Sequence, residues 1–440
     1  MDNKLTLQRL GILLAYPLAY AYVRFFFDVF DDFVVDPSGG GEHFLINVSY
    51  PVFALLFILV NEFVRRGRRG ALVKFPKETM FWYSITFLTA LTAAFGPSNE
   101  LSVFAMHLCA VYSVLVSNEV LLGGRTSGFI PADLIDGFYV KSFAGFPNFV
   151  IDWKCFKKPD AEEGVEAAPK KNPLGAIIFV IVMALLMIIS VNLMGAIDSD
   201  ISCFFNNIFG DLEYWLDNLN ISEIILRVLL AIPVCFYLYG LFSRSAKSDG
   251  AREKRVAEWL NRVRGKGKTV SSTLVYVAAG MFVLAYLLFF IKRLTYMLGG
   301  FVGNVPKGML VSQYAREGFF ELVGIMAVNM CVYLAIILLG KTDSEGKFAL
   351  PAKILVTLLM AESIIFAVIA MSKLGLYYSI YGYTPKRILA MWGTLTLGFA
   401  SLMTILTVNR GKPHIRAGIL FTAVSYVAIC VLSGVLEALG

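Results

Sequence analysis

Charged residues and histidines are scarce in this sequence of 440 residues. Only 16% of the residues are charged, whereas 58% are hydrophobic and the mean hydropathy is +0.70. Soluble domains carry about 25% charged and about 45–50% apolar residues. The composition therefore excludes a string of soluble domains and predicts one membrane domain built from recurring apolar runs.

Signatures of metal binding and of catalysis are also missing. The three histidines, His43, His107 and His414, share no helical spacing, and the six cysteines form no CxxC pair. Zinc sites and disulfide frameworks depend on such spacings. The sequence also has no Walker A, GxGxxG, HExxH or GxSxG pattern. We therefore predict no catalytic residue, no metal and no cofactor, which favours a protein that is not an enzyme.

Apolar runs of about 20 residues, the length that crosses a bilayer core of about 30 Å, recur along the chain. They predict an all-α fold, a polytopic transmembrane helix bundle of about eleven spans. The spans are placed at residues 8–28, 44–64, 79–96, 101–122, 173–195, 221–243, 271–291, 319–340, 350–372, 388–408 and 416–438. The pattern indicates a four-span unit at 1–128, a cytoplasmic segment at 129–172 and a seven-span core at 173–440.

Basic residues concentrate in alternate connections, which are residues 65–77, 154–171, 244–268, 341–353 and 410–416. The intervening connections near residues 28–42 and 198–217 are acidic. Cytoplasmic connections carry an excess of Lys and Arg, so this pattern places the N-terminus inside and the C-terminus outside a cytoplasmic membrane. The net charge of +7 then favours contact with anionic lipid headgroups, and nucleic acid is not expected as a partner.

This topology is testable with reporter fusions along the chain. Fusions at Arg69, Lys158, Arg255 and Lys412 are expected to report a cytoplasmic position, and fusions at Gly40, Asp211 and Gly440 an external one. The reason is the basic bias of alternate connections. A cytoplasmic C-terminus would contradict the count of eleven spans.

Two connections have an amphipathic pattern. Residues 129–156 intersperse aromatic and aliphatic side chains with polar ones, which predicts a helix lying along the cytoplasmic membrane surface. Residues 252–264 place Val256, Trp259, Leu260 and Val263 on one helical face opposite basic residues. That second segment predicts an interfacial helix bound to anionic lipid, or alternatively a helix that docks a protein.

A short similarity links two of the predicted spans. Asn61-Glu62 and Asn118-Glu119 stand at the cytoplasmic ends of spans two and four, each followed by apolar residues. The first two hairpins are then related units, or else both helix ends favour the same residue pair. The sequence leaves both interpretations open.

Several blocks in the second half carry a family resemblance. A Gly299-Gly300 loop precedes Tyr314-Ala315-Arg316-Glu317-Gly318-Phe319, and Lys373-Leu374-Gly375 precedes Tyr381-Gly382-Tyr383. With these blocks the chain, from residue 173 onward, resembles a bacterial family of multi-spanning membrane proteins known only as a domain of unknown function. It departs at Lys373, where the family pattern has Arg, and at Tyr383, where it has Leu. The resemblance implies an architecture and no activity.

Basic and aromatic residues collect on the side predicted to be extracytoplasmic, where Lys and Arg are normally few. We predict a site for a small anionic or lipid-like ligand, because Arg offers paired donors and Tyr offers a ring with a hydroxyl. Its residues are Tyr314, Arg316, Tyr377, Tyr381, Lys386 and Arg387. The alternative is an interfacial belt of Tyr and Arg anchors.

One acidic residue falls inside a predicted span. Glu362 lies near the middle of span nine, where an ionised side chain costs about 2.5–3.5 kcal/mol on insertion scales. It is either a protonatable coupling group or a structural hydrogen-bonding residue.

Three functions agree with these features. A carrier or flippase-like protein for a small anionic or lipidic molecule explains the many spans and the polarised Arg and Tyr residues. A non-catalytic cell-envelope scaffold or sensor, docking a partner through basic cytoplasmic helices, is the alternative. A membrane-embedded transferase would need paired acids such as Asp198 and Asp200 near an aqueous mouth.

Overall fold

The computed structural model describes residues 2–32, 42–70, 76–95, 99–157, 223–247, 272–303, 308–339, 349–411 and 413–439, with residues 258 and 305. These residues are predominantly helical, and no β-strand occurs among them. The all-α prediction is therefore confirmed. The predicted span at 173–195, the Asp198 and Asp200 pair and the segment 252–264 lie outside the described residues, apart from residue 258.

The longer helices in the first part are α1 (Asp2–Asp32), α2 (Glu42–Arg69), α3 (Thr79–Phe95) and α4 (Asn99–Ser117). Next come α5 (Ile130–Ile135), a π-helical turn at Asp136–Lys141, α6 (Ser142–Ala144), α7 (Phe146–Lys157) and α8 (Glu223–Ala246). The last five are α9 (Ser272–Val302), α10 (Val311–Leu339), α11 (Leu350–Tyr381), α12 (Pro385–Arg410) and α13 (Ile415–Leu439).

Seven of the described helices are long and apolar enough to cross a membrane, namely α2 and α8 to α13. The protein is therefore a multi-pass membrane protein. The count of eleven spans is not confirmed, although ten of the predicted spans fall on helices. The helix α3 has 17 residues, about 26 Å at 1.5 Å per residue, which is short for a bilayer core of about 30 Å. The apolar part of α4 is equally short, and α1 is not among the seven.

Three helices are longer than the apolar runs that predicted them. Helix α9 extends to Val302, α10 begins at Val311, and α11 continues to Tyr381, so α9 and α11 have 31 and 32 residues. Such helices measure about 47 Å, well beyond the hydrocarbon thickness. Their extra turns carry Lys, Arg and Tyr residues, which suit the headgroup layer and end the hydropathy signal without ending the helix.

The chain divides into two compact units. Unit 1 comprises Met1–Ala90, Met106–Val120 and Pro131–Ser248, and unit 2 comprises Leu91–Ala105, Leu121–Ile130 and Asp249–Gly440. The boundaries predicted at residues 128 and 172 stay a prediction.

In unit 1, α1 packs against α2 and α8 around a core that includes Ala15, Phe57 and Phe242. Close approach of α1 and α2 depends on glycine. A Cβ atom on Gly67 would lie 2.6 Å from the backbone nitrogen of Gln8, so a side chain at this position would force the helices apart.

The segment from α5 to α7 lies across α8. The hydroxyl of Tyr237 donates to the carbonyl of Phe138 at 2.8 Å, and the amide of Asn148 donates to Ser243 Oγ at 2.9 Å. Gly145 and Gly240 meet backbone to backbone. The segment is therefore part of the packed structure of unit 1.

The segment buries charged residues and exposes some of its apolar ones, although Leu134, Phe138, Phe149 and Trp153 pack against the core of unit 1. Asp133, Asp136, Lys141 and Asp152 are buried, whereas Ile135 and Tyr139 are 59% and 64% exposed. Lys141 pairs with Asp136 at 3.6 Å, and Asp152 pairs with Arg68 of α2, so these charges have partners inside the protein. The predicted surface helix is thus not confirmed. An amphipathic period shows that a helix has two different faces, but it does not show which face is buried.

In unit 2, α11 is the central helix, and α9, α10 and α12 each pack against it. Two apolar clusters hold this arrangement, one around Val356 and Met360 and the other around Phe366 and Ala370. Helix α11 ends at Gly382, whose φ of 74° suits glycine. Helix α12 then starts at Pro385, so α11 and α12 form a tight helical hairpin.

Candidate functional site

Lys373 of α11 lies buried between two tyrosine rings. Its Nζ atom is 3.8 Å from the ring centroid of Tyr296 on α9 and 4.1 Å from that of Tyr314 on α10. The two rings pack edge to face at 5.1 Å, and the Tyr314 hydroxyl donates to the Tyr296 carbonyl at 2.5 Å. Only 1% of Lys373 is exposed. The rings thus hold an ammonium group by cation–π attraction where three helices meet.

Two glycines provide the space for this lysine. A Cβ atom on Gly318 would lie 2.3 Å from Lys373 Nζ, and one on Gly300 would lie 2.9 Å from its backbone nitrogen. Tyr314 and Gly318 are four residues apart and share one face of α10, whereas Arg316 points elsewhere and is exposed. In the Tyr-Ala-Arg-x-Gly pattern, the tyrosine and the glycine therefore face Lys373, and the glycine leaves room for the lysine side chain. The arginine points outward.

Arg387 forms a second cluster at the α11–α12 turn. Its Nη1 atom donates to the carbonyls of Tyr381 at 2.9 Å and Gly382 at 2.5 Å. The guanidinium carbon lies 4.1 Å from the ring centroid of Tyr377 and 5.8 Å from that of Tyr381. A cation at the C-terminal end of a helix is favourable, so Arg387 caps α11 while its other donors stay available.

The six predicted site residues do not form a single cluster. Tyr377, Tyr381 and Arg387 come together, whereas Tyr314 belongs to the cluster around Lys373. Arg316 and Lys386 are exposed, and across the described parts of the chain no hydrogen bond, ion pair or ring contact joins them to either cluster. All six nevertheless lie at one end of unit 2, because α10 and α12 begin there and α11 ends there.

The sequence prediction omitted Lys373 and Tyr296 from the site. Hydropathy placed Lys373 directly after the predicted end of span nine. That position gave no reason to expect a buried lysine. A signal was present, however. Tyr296 precedes Gly300 by four residues, as Tyr314 precedes Gly318, so each neighbouring helix offers a tyrosine and a gap on one face.

This end of unit 2 carries an excess of positive charge. Its cations are Lys292, Arg293, Arg316, Lys373, Lys386 and Arg387, and none forms an ion pair with any described residue. The neighbouring acids are fewer. Glu317 accepts a hydrogen bond from Gln313 at 3.0 Å, and Glu321 acts electrostatically on Lys373 from beyond ion-pair distance. The described charges at this end therefore sum to a positive field.

The four arginines at the end of α2 form ion pairs in contrast. Arg65 and Arg66 donate to Glu62 at 3.0 and 3.1 Å, Arg68 pairs with Asp152, and Arg69 lies 3.6 Å from Glu119. Arg68 and Arg69 thus link α2 to α7 and to the residues that follow α4. Three carboxylates offset most of the charge of these four arginines, which had indicated a cytoplasmic connection.

The two Asn-Glu pairs noted in the sequence meet in this region. Asn118 Nδ2 donates to Asn61 Oδ1 at 3.3 Å, and Asn61 Nδ2 donates to the hydroxyls of Tyr83 at 2.7 Å and Ser117 at 3.0 Å. The Tyr83 hydroxyl donates in turn to Glu62 at 2.7 Å. The similarity thus has a structural role, because the repeated asparagines bond to each other across α2 and α4.

Comparison with protein families gives a match over residues 83–435 to a domain of unknown function, DUF4153. The match begins about 90 residues before the point from which the sequence resemblance was traced, and so it includes Tyr83 and the segment α5 to α7. Comparisons with curated proteins and with solved structures give no match. Since the family model covers most of the sequence, the chain belongs to the DUF4153 family of domains of unknown function.

Proposed function

We propose that the protein binds the anionic headgroup of an amphiphile at the end of unit 2 where α11 meets α10 and α12. The observation that carries this proposal is the group of cations in unit 2 that no described carboxylate pairs with, in contrast to the four arginines at the end of α2, each of which forms an ion pair. Cations without internal partners attract an external anion, and they do so more strongly where water is partly excluded.

The chemistry of the side chains suits a headgroup. Arg316 and Lys386 are exposed and bring charge-assisted donors, which bind phosphate oxygens well. Tyr377 and Tyr381 present rings next to Arg387, and rings pack against the apolar part of an amphiphile. The extra turns of α9 and α11 reach beyond the hydrocarbon layer, which is the level of lipid headgroups.

The anchor belt is the main competing interpretation. Interfacial Tyr and Arg anchors act on any bilayer and need no particular headgroup. Binding at a defined site instead depends on the ligand's charge and on the individual cations. The scaffold or sensor alternative depends on basic cytoplasmic helices, of which residues 252–264 lie outside the described part of the chain apart from residue 258.

The proposal predicts that short-chain phosphatidylglycerol stabilises the purified protein in detergent. Phosphatidylcholine of the same chain length should not, because its headgroup has no net charge. At a hundredfold excess over Kd, a ligand that binds only the folded state adds about 2.7 kcal/mol of stability. Thermal unfolding at increasing lipid concentration gives the apparent Kd. An added arm with inorganic phosphate shows whether the anionic group suffices without acyl chains.

Two exposed cations give the matched test. The double variant Arg316→Gln, Lys386→Gln should weaken phosphatidylglycerol binding roughly 30-fold, since each cation near an anionic headgroup contributes about 1 kcal/mol. Arg410→Gln, an exposed arginine at the opposite end of α12, removes a similar charge and should leave Kd unchanged. Equal stabilisation by both lipids, or an equal loss of phosphatidylglycerol affinity in both variants, would contradict the proposal and favour the interfacial belt of Tyr and Arg anchors.

A further inference from the structure

Helix α11 carries one carboxylic acid in its apolar part, far from the proposed anion site. Glu362 stands 12 residues, about 18 Å, after Leu350, so it lies near mid-membrane. Its Oε2 atom is buried and accepts no hydrogen bond from a described residue. No described cation forms an ion pair with it. An ionised carboxylate in this position would have no compensating charge.

The groups that face Glu362 are uncharged. Tyr286 of α9 is the titratable side chain that interacts with it electrostatically, and its ring also packs against Phe366, one turn further along α11. Among the described residues of α9, α10 and α12 no charged side chain forms an ion pair with the carboxyl. The local environment therefore favours the neutral acid.

A second buried oxygen without a donor lies on the adjacent helix. Asn329 of α10 has none of its surface exposed, and its Nδ2 donates to Ser363 Oγ at 2.8 Å and to the Leu359 carbonyl at 3.3 Å. The Ser363 hydroxyl donates to the same carbonyl at 3.0 Å. Asn329 Oδ1 accepts no hydrogen bond from any described residue, although an amide oxygen at this depth needs a donor.

The helical repeat places Glu362 on the face of α11 next to the one that Asn329 contacts. Glu362 and Ser363 are consecutive, about 100° apart around α11, and Leu359 and Phe366 lie between them on the helical wheel. Asn329 bonds to Ser363 at one side of this arc, and Tyr286 packs against Phe366, which lies toward the Glu362 side. The carboxyl and the amide thus flank the line where α9 and α10 both pack on α11.

We propose that Glu362 and Asn329 form an intramembrane proton-binding site, in which the protonated carboxyl donates its hydrogen to the Asn329 amide oxygen directly or through one water. One proton then removes the charge of Glu362 and supplies the donor that Asn329 Oδ1 lacks. A divalent cation fits less well, because Ca²⁺ or Mg²⁺ takes about six oxygen ligands. Only Glu362 Oε2 and Asn329 Oδ1 lack a hydrogen-bond partner among the described residues of this junction.

This site is independent of the anion-binding proposal and adds a second property to unit 2. Loss of the proton would create an uncompensated charge between α9, α10 and α11. The three-helix junction would therefore have two charge states with different packing energies. Proton coupling requires such a pair of states, whose relative free energy depends on protonation.

Infrared spectroscopy tests the proposal without any ligand. The difference spectrum between the native protein and Glu362→Gln at pH 7 should show the carbonyl stretch of a protonated carboxylic acid, because glutamine removes that group and keeps its shape. Asn329→Leu should shift this band, since the hydrogen bond from the acid is lost. Glu317→Gln, which changes an exposed carboxylate of α10, should produce no such band.

The results separate the alternatives even if one variant is poorly folded. A carboxylate signal at position 362 at pH 7 would overturn the proposal, since it shows an ionised group. A protonated acid whose band is unchanged in Asn329→Leu would overturn the assignment of Asn329 as acceptor. If Glu362→Gln does not fold, isotope labelling of glutamate in the native protein gives the same band, and its absence contradicts the site.

Discussion

Replacing Gly145 by alanine is expected to destabilise the protein by about 3 kcal/mol, the upper end of the cost of overpacking a core. A Cβ atom at Gly145 would lie 2.3 Å from the carbonyl oxygen of Gly240 and 2.6 Å from its Cα. Both are backbone atoms of α8, so no side chain can move aside, and the segment α5 to α7 would have to separate from α8. Denaturant unfolding in detergent measures the loss.

Gly393→Ala is the control for that substitution. Gly393 lies inside α12, and an added Cβ atom would meet no other atom within 4 Å. Alanine in a helix interior is then favourable by roughly 0.5–1 kcal/mol. A Gly145→Ala protein as stable as the Gly393→Ala protein would show that the close approach to α8 does not exist.

Removing Asp152 should be similarly costly, by about 3–5 kcal/mol, because it leaves Arg68 buried without a partner. The two side chains are only 6% and 8% exposed, and the Tyr239 hydroxyl also donates to Asp152 at 2.7 Å. Asp152→Ala therefore removes one charge and one hydrogen-bond acceptor together. The free energy of unfolding, measured in the same detergent, gives the effect.

A second substitution shows whether the cost comes from the unpaired charge. Arg68→Met in the Asp152→Ala background should recover much of the stability, because apolar replacement of a buried pair is often neutral. Glu119→Gln removes the partner of Arg69 at a position that is 63% exposed, and should change stability by at most about 1 kcal/mol. No recovery in the double variant would contradict the buried pair.

The sequence predicted the class of fold well because the hydrophobic run is a strong local signal. Runs of about 20 apolar residues located α2 and α8 to α13. The same signal failed at helix ends, since α11 continues for nine residues past the predicted limit at 372 through lysine and tyrosine. Hydropathy measures where the lipid ends, and a helix ends only where its backbone geometry changes, here at Gly382.

Pairing between distant residues was beyond the reach of sequence patterns. The arginines at the end of α2 indicated a cytoplasmic connection, yet Arg68 finds its carboxylate 84 residues away at Asp152. Similarly, the period of residues 129–156 located an amphipathic helix but left open which face is buried. Such outcomes depend on tertiary contacts, in which buried charges can neutralise each other.

The candidate site was predictable in composition and not in arrangement. The clustering of Tyr and Arg residues at one end was visible, and Tyr377, Tyr381 and Arg387 do meet. The burial of Lys373 between Tyr296 and Tyr314 depends on three helices approaching closely, which the glycines permit and no single helix reveals.

Native mass spectrometry of the protein released from mixed lipid nanodiscs tests the anion-binding proposal most directly. With equal amounts of phosphatidylglycerol and phosphatidylcholine, the native protein and Arg410→Gln should retain phosphatidylglycerol preferentially. The Arg316→Gln, Lys386→Gln protein should lose most of that preference, because two exposed cations that attract the anionic headgroup are gone. Equal retention of the two lipids by the native protein, or unchanged preference in the double variant, would contradict a binding site at this end of unit 2.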